Sequence, residues 1–321
     1  MARRAAIGFL VGLLLAAAAA ADDPRTRDYA AIDQWALQTP VAETATLEGL
    51  AHYLVRPARD DFDKARALFR WITANIHYDV EAFLSGRRSG VSAADTLRHG
   101  RSVCQGYANL FQQMGEAVGL RVVTISGWAK GYNHVPGEEL GETNHAWNAV
   151  QVGAEWYLLD STWGAGYVSA ARQYVPKFDD FYFLTPPEQF VRRHLPEEER
   201  WQLLDPPLTA EAFRAGIAGE PALFRLGLAP ESHREEIIRT GPDLNLVFMA
   251  PENTFMLVQA KDGDTNIFPQ AIPGTREGER LRFALRLPPG EHELRCYGRR
   301  DNPYGSYECV LSYKVIVTAG G

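Results

Sequence analysis

RSVCQGYANLFQQM (residues 101–114) sets one of the chain's three cysteines, Cys104, directly ahead of an apolar helical face. Tyr107, Leu110, Phe111, Met114 and Val118 recur at helical spacing, and Gly119 stands where a residue past a helix C-terminus often does. A thiol in the first turn of such a helix lies at the positive end of the backbone dipole, beside N–H groups that have no helical partner. Both favour the thiolate, the reactive form, and the same N–H groups can hold the oxyanion formed when an acyl carbon is attacked. The competing reading is a packing residue that happens to be a thiol. An imidazole, and a carboxylate to orient it, would decide between the two.

Both are carried by one ribbon. RVVTISGW (121–128) reads as a strand and AKGYNHVPGEELGET (129–143) as a long Gly-rich excursion. HAWNAVQV (145–152) and EWYLLDST (155–162) then read as two strands joined through Gly153 and Ala154, a hairpin-length connection. If Val152 faces Glu155, His145 faces Thr162 and Trp147 faces Asp160, so His145 and Asp160 are diagonal neighbours on one face. A slip of one residue would put them on opposite faces. The reading expects Cys104 as nucleophile, His145 as general base and acid, and Asp160 as the residue that orients it. Trp147 and Trp163 flank this pair and are candidate substrate contacts, core packing being the alternative. His134, on the excursion, is a rival base without a strand-borne carboxylate, and His194 reads as structural.

Composition bounds the rest. The chain's 321 residues exceed a usual domain, which makes two domains the expectation. A formal net charge of −7 argues against nucleic acid or an anionic membrane as the main partner. MARRAAIGFLVGLLLAAAAAADDP has Arg3 and Arg4, then an apolar run decaying into alanine, the pattern of a secretory signal peptide cleaved near Ala20 or Ala21. The expected product is exported, periplasmic or secreted, with no stable membrane span after cleavage. DDFDKARALFRWITANIHYD (60–79) is a helix capped by Asp60 or Asp61, and 79–100 a polar connection with a short helical piece near 93–97. From about residue 220, short alternating runs such as LNLVFMA, RLRFALRLP and YECVLSYKVIV carry the signature of an antiparallel sandwich. The double proline at 206–207 is the seam, giving a signal peptide at 1–21, a catalytic domain at 22–207 and a β-sandwich-like domain at 208–321.

Cys296 and Cys309 flank a polar turn between two of these runs, where a hairpin would bring the sulfurs together as a disulfide; two separate buried thiols are the other reading. DGDTN (262–266) starts like a calcium loop, but Pro273 occupies the position of the closing glutamate, so a hairpin turn is expected. With no HExxH, paired CxxC or GxxxxGK[ST], the sequence offers no support for a metal or a cofactor.

SVCQGYANLFQQM, NHAWNAVQV and EWYLLDSTWG, in this order, resemble the three blocks of the transglutaminase-like superfamily of papain-related folds. WITANIHYD upstream and FYFLTPPEQFVRRHLPEEERWQLL downstream are similar to its kyphoscoliosis peptidase branch. The resemblance covers roughly residues 45–205. It implies an α+β fold in which a helical half carrying Cys104 packs on a small antiparallel sheet carrying His145 and Asp160, followed by the all-β domain. It also implies a triad with Cys104 as nucleophile, His145 as general base and acid and Asp160 orienting it, and leaves open how the acyl-thioester is released; hydrolysis is the favoured reading here, giving a cysteine protease or amidase that acts on peptide or protein amides. A glutamine-crosslinking transglutaminase and a catalytically silent scaffold, whose β-domain binds a protein partner, are the alternatives.

Overall fold

The structure is a computed structural model, and it describes residues 23–87 and 89–319; the expected signal peptide lies outside the described residues. Helices α1 (Ala30–Leu37), α2 (Leu47–Leu54) and α3 (Asp61–Asn75) open the chain. Asp60 caps α3 by accepting the Asp63 N–H, and Ala65, Leu68, Phe69 and Ile72 form its buried stripe, as their spacing predicts. The segment after α3 holds more order than its polar composition suggests. Strand β1 (His77–Tyr78) pairs in parallel with β2 (Arg101–Ser102), and α4 (Val80–Ser85) and α5 (Ala93–His99) lie between them. Asp79 and Ser92 cap these helices, and Gly86 and Gly100 close them in the left-handed conformation.

Helix α6 (Cys104–Ala117) follows at once. Its Leu110, Phe111 and Met114 share a core with Leu68, Phe69 and Ile72 of α3 and with Val122, Val150 and Leu159 of the adjoining sheet. That sheet orders β5 (Glu155–Leu159), β4 (His145–Val152), β3 (Arg121–Ala129) and β8 (His194–Pro196), all antiparallel. The β4–β5 register is the expected one, from Val152 opposite Glu155 to Asn148 opposite Leu159, turned by Gly153 at φ 62°. Asn148 then ties the sheet to α6, its Nδ2 donating to the Ala108 carbonyl at 3.0 Å. β8 lies close on β3 because Gly127 has no side chain: a Cβ there would fall 2.2 Å from the Leu195 carbonyl oxygen. Between β5 and β8 run α7 (Ser161–Ala165), the β6–β7 hairpin (Gly166–Val168, Tyr174–Pro176) and α8 (Pro187–Phe190).

The C-terminal part is a sandwich with its own core, from Ile217 to Val317. One sheet runs Ile237–Thr240, Glu308–Val317, Gly290–Arg300, Thr254–Asp262, Thr265–Asn266; the other runs Thr275–Glu277, Arg280–Arg286, Asp243–Met249, Ala229–Pro230. It departs from a purely antiparallel sandwich at one edge, where Ile237–Thr240 pairs in parallel with the last strand. The 262–266 segment is the expected hairpin. The expected Cys296–Cys309 disulfide is not formed; both thiols are free. A bulge at Cys296/Tyr297 sets Cys309 opposite Tyr297, so it shares that residue's outward face while Cys296 points into the core. No helix among the described residues is long and apolar enough to cross a membrane.

The two cores meet across buried charge. Lys130, at the start of the excursion, is 3% exposed and its ammonium lies 2.9 Å from Glu236, which also bonds His134 at 2.8 Å. Arg193 donates to the Lys130 carbonyl at 2.9 Å and pairs with Glu220 at 2.5 Å. Burying Lys130 pulls its pKa down, and the charge of Glu236 holds it up against that. Replacing one partner strands the other charge, whereas replacing both removes the problem. We expect Glu236→Leu to cost about 3–5 kcal/mol in urea unfolding, and Lys130→Met combined with it to recover most of that loss.

Candidate active site

Cys104 is the first residue of α6, with Val103 at the N-cap, so the Cys104 and Gln105 N–H groups precede the first helical bonds, which Gly106 and Tyr107 donate to the Val103 carbonyl. Cys104 as a residue is half-buried. The His145 ring and the Ala146 backbone are the neighbours that act on its charge. His145 opens β4, where a long excursion returns to the sheet. Asn144 staples the base of that loop, its Oδ1 accepting from the Ala129 N–H at 2.7 Å and its Nδ2 donating to the Ala129 carbonyl at 3.2 Å.

Asp160 takes a different local structure from the expected strand. β5 stops at Leu159, and Asp160 caps α7, its Oδ1 accepting the N–H groups of Thr162 at 2.8 Å and Trp163 at 3.1 Å. An aspartate followed by two hydroxyl residues satisfies helix N–H groups more readily than a ladder. The position survives the change, because the register up to Leu159 delivers Asp160 to the His145 face. Its Oδ2 lies 2.7 Å from His145 Nε2. With Nε2 engaged there, Nδ1 is the ring nitrogen left for the thiol. The three residues predicted from helix start and ribbon therefore meet, in the order thiol, imidazole, carboxylate.

The charges follow. Burial alone would raise the Cys104 thiol, but the His145 charge, its hydrogen bond and the Ala146 backbone bring it below its ordinary value. Burial depresses His145, and Asp160 and Cys104 overcome this, pushing it up to about 10. Asp160 is fully buried, which favours its neutral form; the His145 charge and the hydrogen bonds of two histidines hold it ionised well below the usual carboxylate range. These directions favour a thiolate–imidazolium pair beside an ionised Asp160.

The second of those histidines is His194, which the sequence reading set aside as structural. Its Nε2 lies 3.0 Å from the same Oδ2 of Asp160. His194 comes from β8, 34 residues from Asp160 in the chain, through a pairing of three residues with β3. The signal for it was its place in the downstream block, not any periodicity. Trp147, expected as a substrate contact, is 1% exposed and packs with Ile125, Ala149, Leu158 and Phe190; it is a core residue, because the face it shares with His145 is covered by β8 and α8. Trp163 is partly buried, its ring tilted over His145 at 5.2 Å and His194 at 4.4 Å, with the Arg193 guanidinium 4.6 Å away. It covers the two imidazoles. His134 lies elsewhere, on Glu236.

His145, Asp160 and His194 bring three ligand-type atoms within 4.8 Å of one another. Those atoms are already joined by the two hydrogen bonds to Oδ2, and the thiol occupies the other side of His145. The set reads as one hydrogen-bonded cluster centred on Asp160.

Residues 48–161, which contain Cys104, His145 and Asp160, match the model of the transglutaminase-like superfamily, and residues 211–319 match a KY-like, immunoglobulin-like domain. The chain belongs to the transglutaminase-like superfamily. It is 36% identical over 196 residues to the mouse kyphoscoliosis peptidase, covering 60% of this chain and 30% of that protein. With the human kyphoscoliosis peptidase it is 33% identical over 216 residues, covering 67% and 32%. These place it in the kyphoscoliosis peptidase-like branch, and the chain spans about a third of the length of these curated relatives. A solved structure described as a TGase is 17% identical, with a TM-score of 0.30 over 44% of this chain and 33% of that one. The transglutaminase-like core and the immunoglobulin-like β-domain are thus the α+β and all-β parts expected from sequence.

His194 also makes the folded state sensitive to acid. Burial, with the charges of His145 and Arg193, pulls it down to about 4 against the pull of Asp160. As pH falls below the ordinary histidine value of 6.5, the unfolded chain takes up this proton first. Stability therefore declines between about pH 6.5 and pH 4, by on the order of 3 kcal/mol from this residue. Denaturant unfolding across that window measures the slope, which His194→Gln should flatten.

Proposed function

We propose that this chain is an exported cysteine hydrolase that cleaves amide bonds of peptides or proteins through a thioester on Cys104. The observation that carries the reading is the bridge made by His145, with the thiol on one side and buried Asp160 on the other. The Cys104 sulfur attacks the carbonyl carbon, and the oxyanion develops toward the N–H groups at the start of α6. His145 gives its Nδ1 proton to the departing amine, leaving an acyl-thioester. It then takes a proton from water as the water attacks, and collapse of this second oxyanion expels the thiolate and restores the imidazolium. Asp160 keeps one ring orientation through both transfers.

Water is favoured over an amine as the acyl acceptor because Cys104 is only half-buried, and water is the most abundant nucleophile wherever solvent reaches the thiol. The name of the mammalian relatives, kyphoscoliosis peptidase, supports the hydrolytic reading. Export is supported by the signal-like pattern of residues 1–21.

Two measurements test this. Iodoacetamide should alkylate Cys104 well below the ordinary thiol range, and His145→Ala should abolish that enhancement; equal rates in the two proteins would favour a silent scaffold. With a peptide library, mass spectrometry should find cleaved peptides that persist when a primary amine is added. Products joined to the amine would instead make the chain an amine transferase.

A further inference from the structure

We propose that His194 is a positioning residue of the site: one Nε2–H bond to Oδ2 of Asp160 fixes that carboxylate and, through it, the ring of His145. The inference rests on the cysteine reading above and adds to it a member outside the Cys104–His145–Asp160 set.

The carboxylate of Asp160 is fully subscribed. Oδ1 takes two backbone N–H groups, from Thr162 and Trp163, and Oδ2 takes the two Nε2 atoms of His145 and His194 at 2.7 and 3.0 Å. An ionised carboxylate only accepts, so both Nε2 atoms carry their protons. For His145 this leaves Nδ1 to exchange a proton with the thiol. For His194 it leaves a bare Nδ1, which is buried and has no hydrogen-bond partner. Burying an acceptor unpaired is costly, and the ring is nonetheless held so that Nε2, not Nδ1, meets Asp160. Phe190 stacks on it at 4.0 Å, Trp163 tilts against it at 4.4 Å and Trp147 meets it edge-on at 5.2 Å.

The charged and titratable groups around His194 explain why it donates as a neutral ring. Asp160 caps α7, His145 begins β4, Arg193 precedes it on its own segment, and Tyr182 lies across the cage at 6.3 Å. Two of these are cations, so a second imidazolium beside His145 is disfavoured. A neutral donor anchors Oδ2 without competing for the negative charge that His145 needs. Backbone bonds restrain the Oδ1 side; His194 restrains the Oδ2 side, so the carboxylate cannot twist when His145 loses its proton.

The test compares the pH profile of Cys104 alkylation in the full chain, the His194→Phe variant and the His194→Gln variant. Phenylalanine fills the cage without a donor; glutamine puts an amide N–H near the place of Nε2. In His194→Phe the acid limb should move up by about one pH unit, so that alkylation on that limb falls about tenfold, and His194→Gln should restore most of it. A folded His194→Phe protein whose profile coincides with the unaltered chain overturns the proposal, as does an equal displacement in both variants. Should His194→Phe not fold, nitrogen NMR of the histidine rings in the unaltered chain reads the same point. His194 should keep one protonated and one bare nitrogen from pH 5.5 to 8, whereas titration in that interval, or a proton on Nδ1, overturns the proposal. An unaltered chain whose Cys104 shows no depressed profile would sink the cysteine reading instead, and the NMR result would still decide the tautomer of His194.

Discussion

Four N–H groups converge on the carboxylate of Asp160, and most of what surrounds it exists to deliver them. A buried ion costs several kcal/mol unless its lone pairs are met, and here each oxygen accepts two donors. Two come from the first turn of α7, which is why the chain must leave the sheet at Leu159. One comes from the β4 strand, in a register set by the Gly153 turn. The fourth comes from β8, which reaches β3 only because Gly127 lacks a side chain. Structural stability and chemical competence share these bonds: the charge that raises the affinity of His145 for its proton is the charge they keep ionised.

Cys104 is attached to this arrangement from the other half of the domain. α6 carries Cys104 at its start and a continuous apolar face behind it, and that face shares one core with the back of the sheet. Asn148 adds a directional bond from β4 to the α6 backbone. The separation of sulfur from imidazole is thus set by packing between a helix and a strand, not by the loop that joins them.

Much of this was legible in the sequence, for physical reasons. A cysteine at the onset of an amphipathic helix, and a ribbon whose alternation and turn fix its register, are local signals, and they led to Cys104, His145 and Asp160. Asp160 kept its address although its conformation changed from strand to cap, because position along a ribbon is more robust than the state of its last residue. His194 was less accessible. A strand of three residues ending in Pro196 has too few positions for periodicity, and its partner lies about 65 residues upstream in the chain. Trp147 misled for a similar reason: alternation says which residues share a face but not that a distant strand will cover it. The bulge that parts Cys296 from Cys309 leaves no mark on their spacing.

The acidic groups that neutralise Lys130 and Arg193 come from the immunoglobulin-like module, at Glu236 and Glu220, while the cations flank the paired ends of β3 and β8, Arg193 next to His194 and against Trp163. A substitute module of the same outline without acids at those two places would leave both cations unpaired, so the two modules are matched by charge as well as by shape.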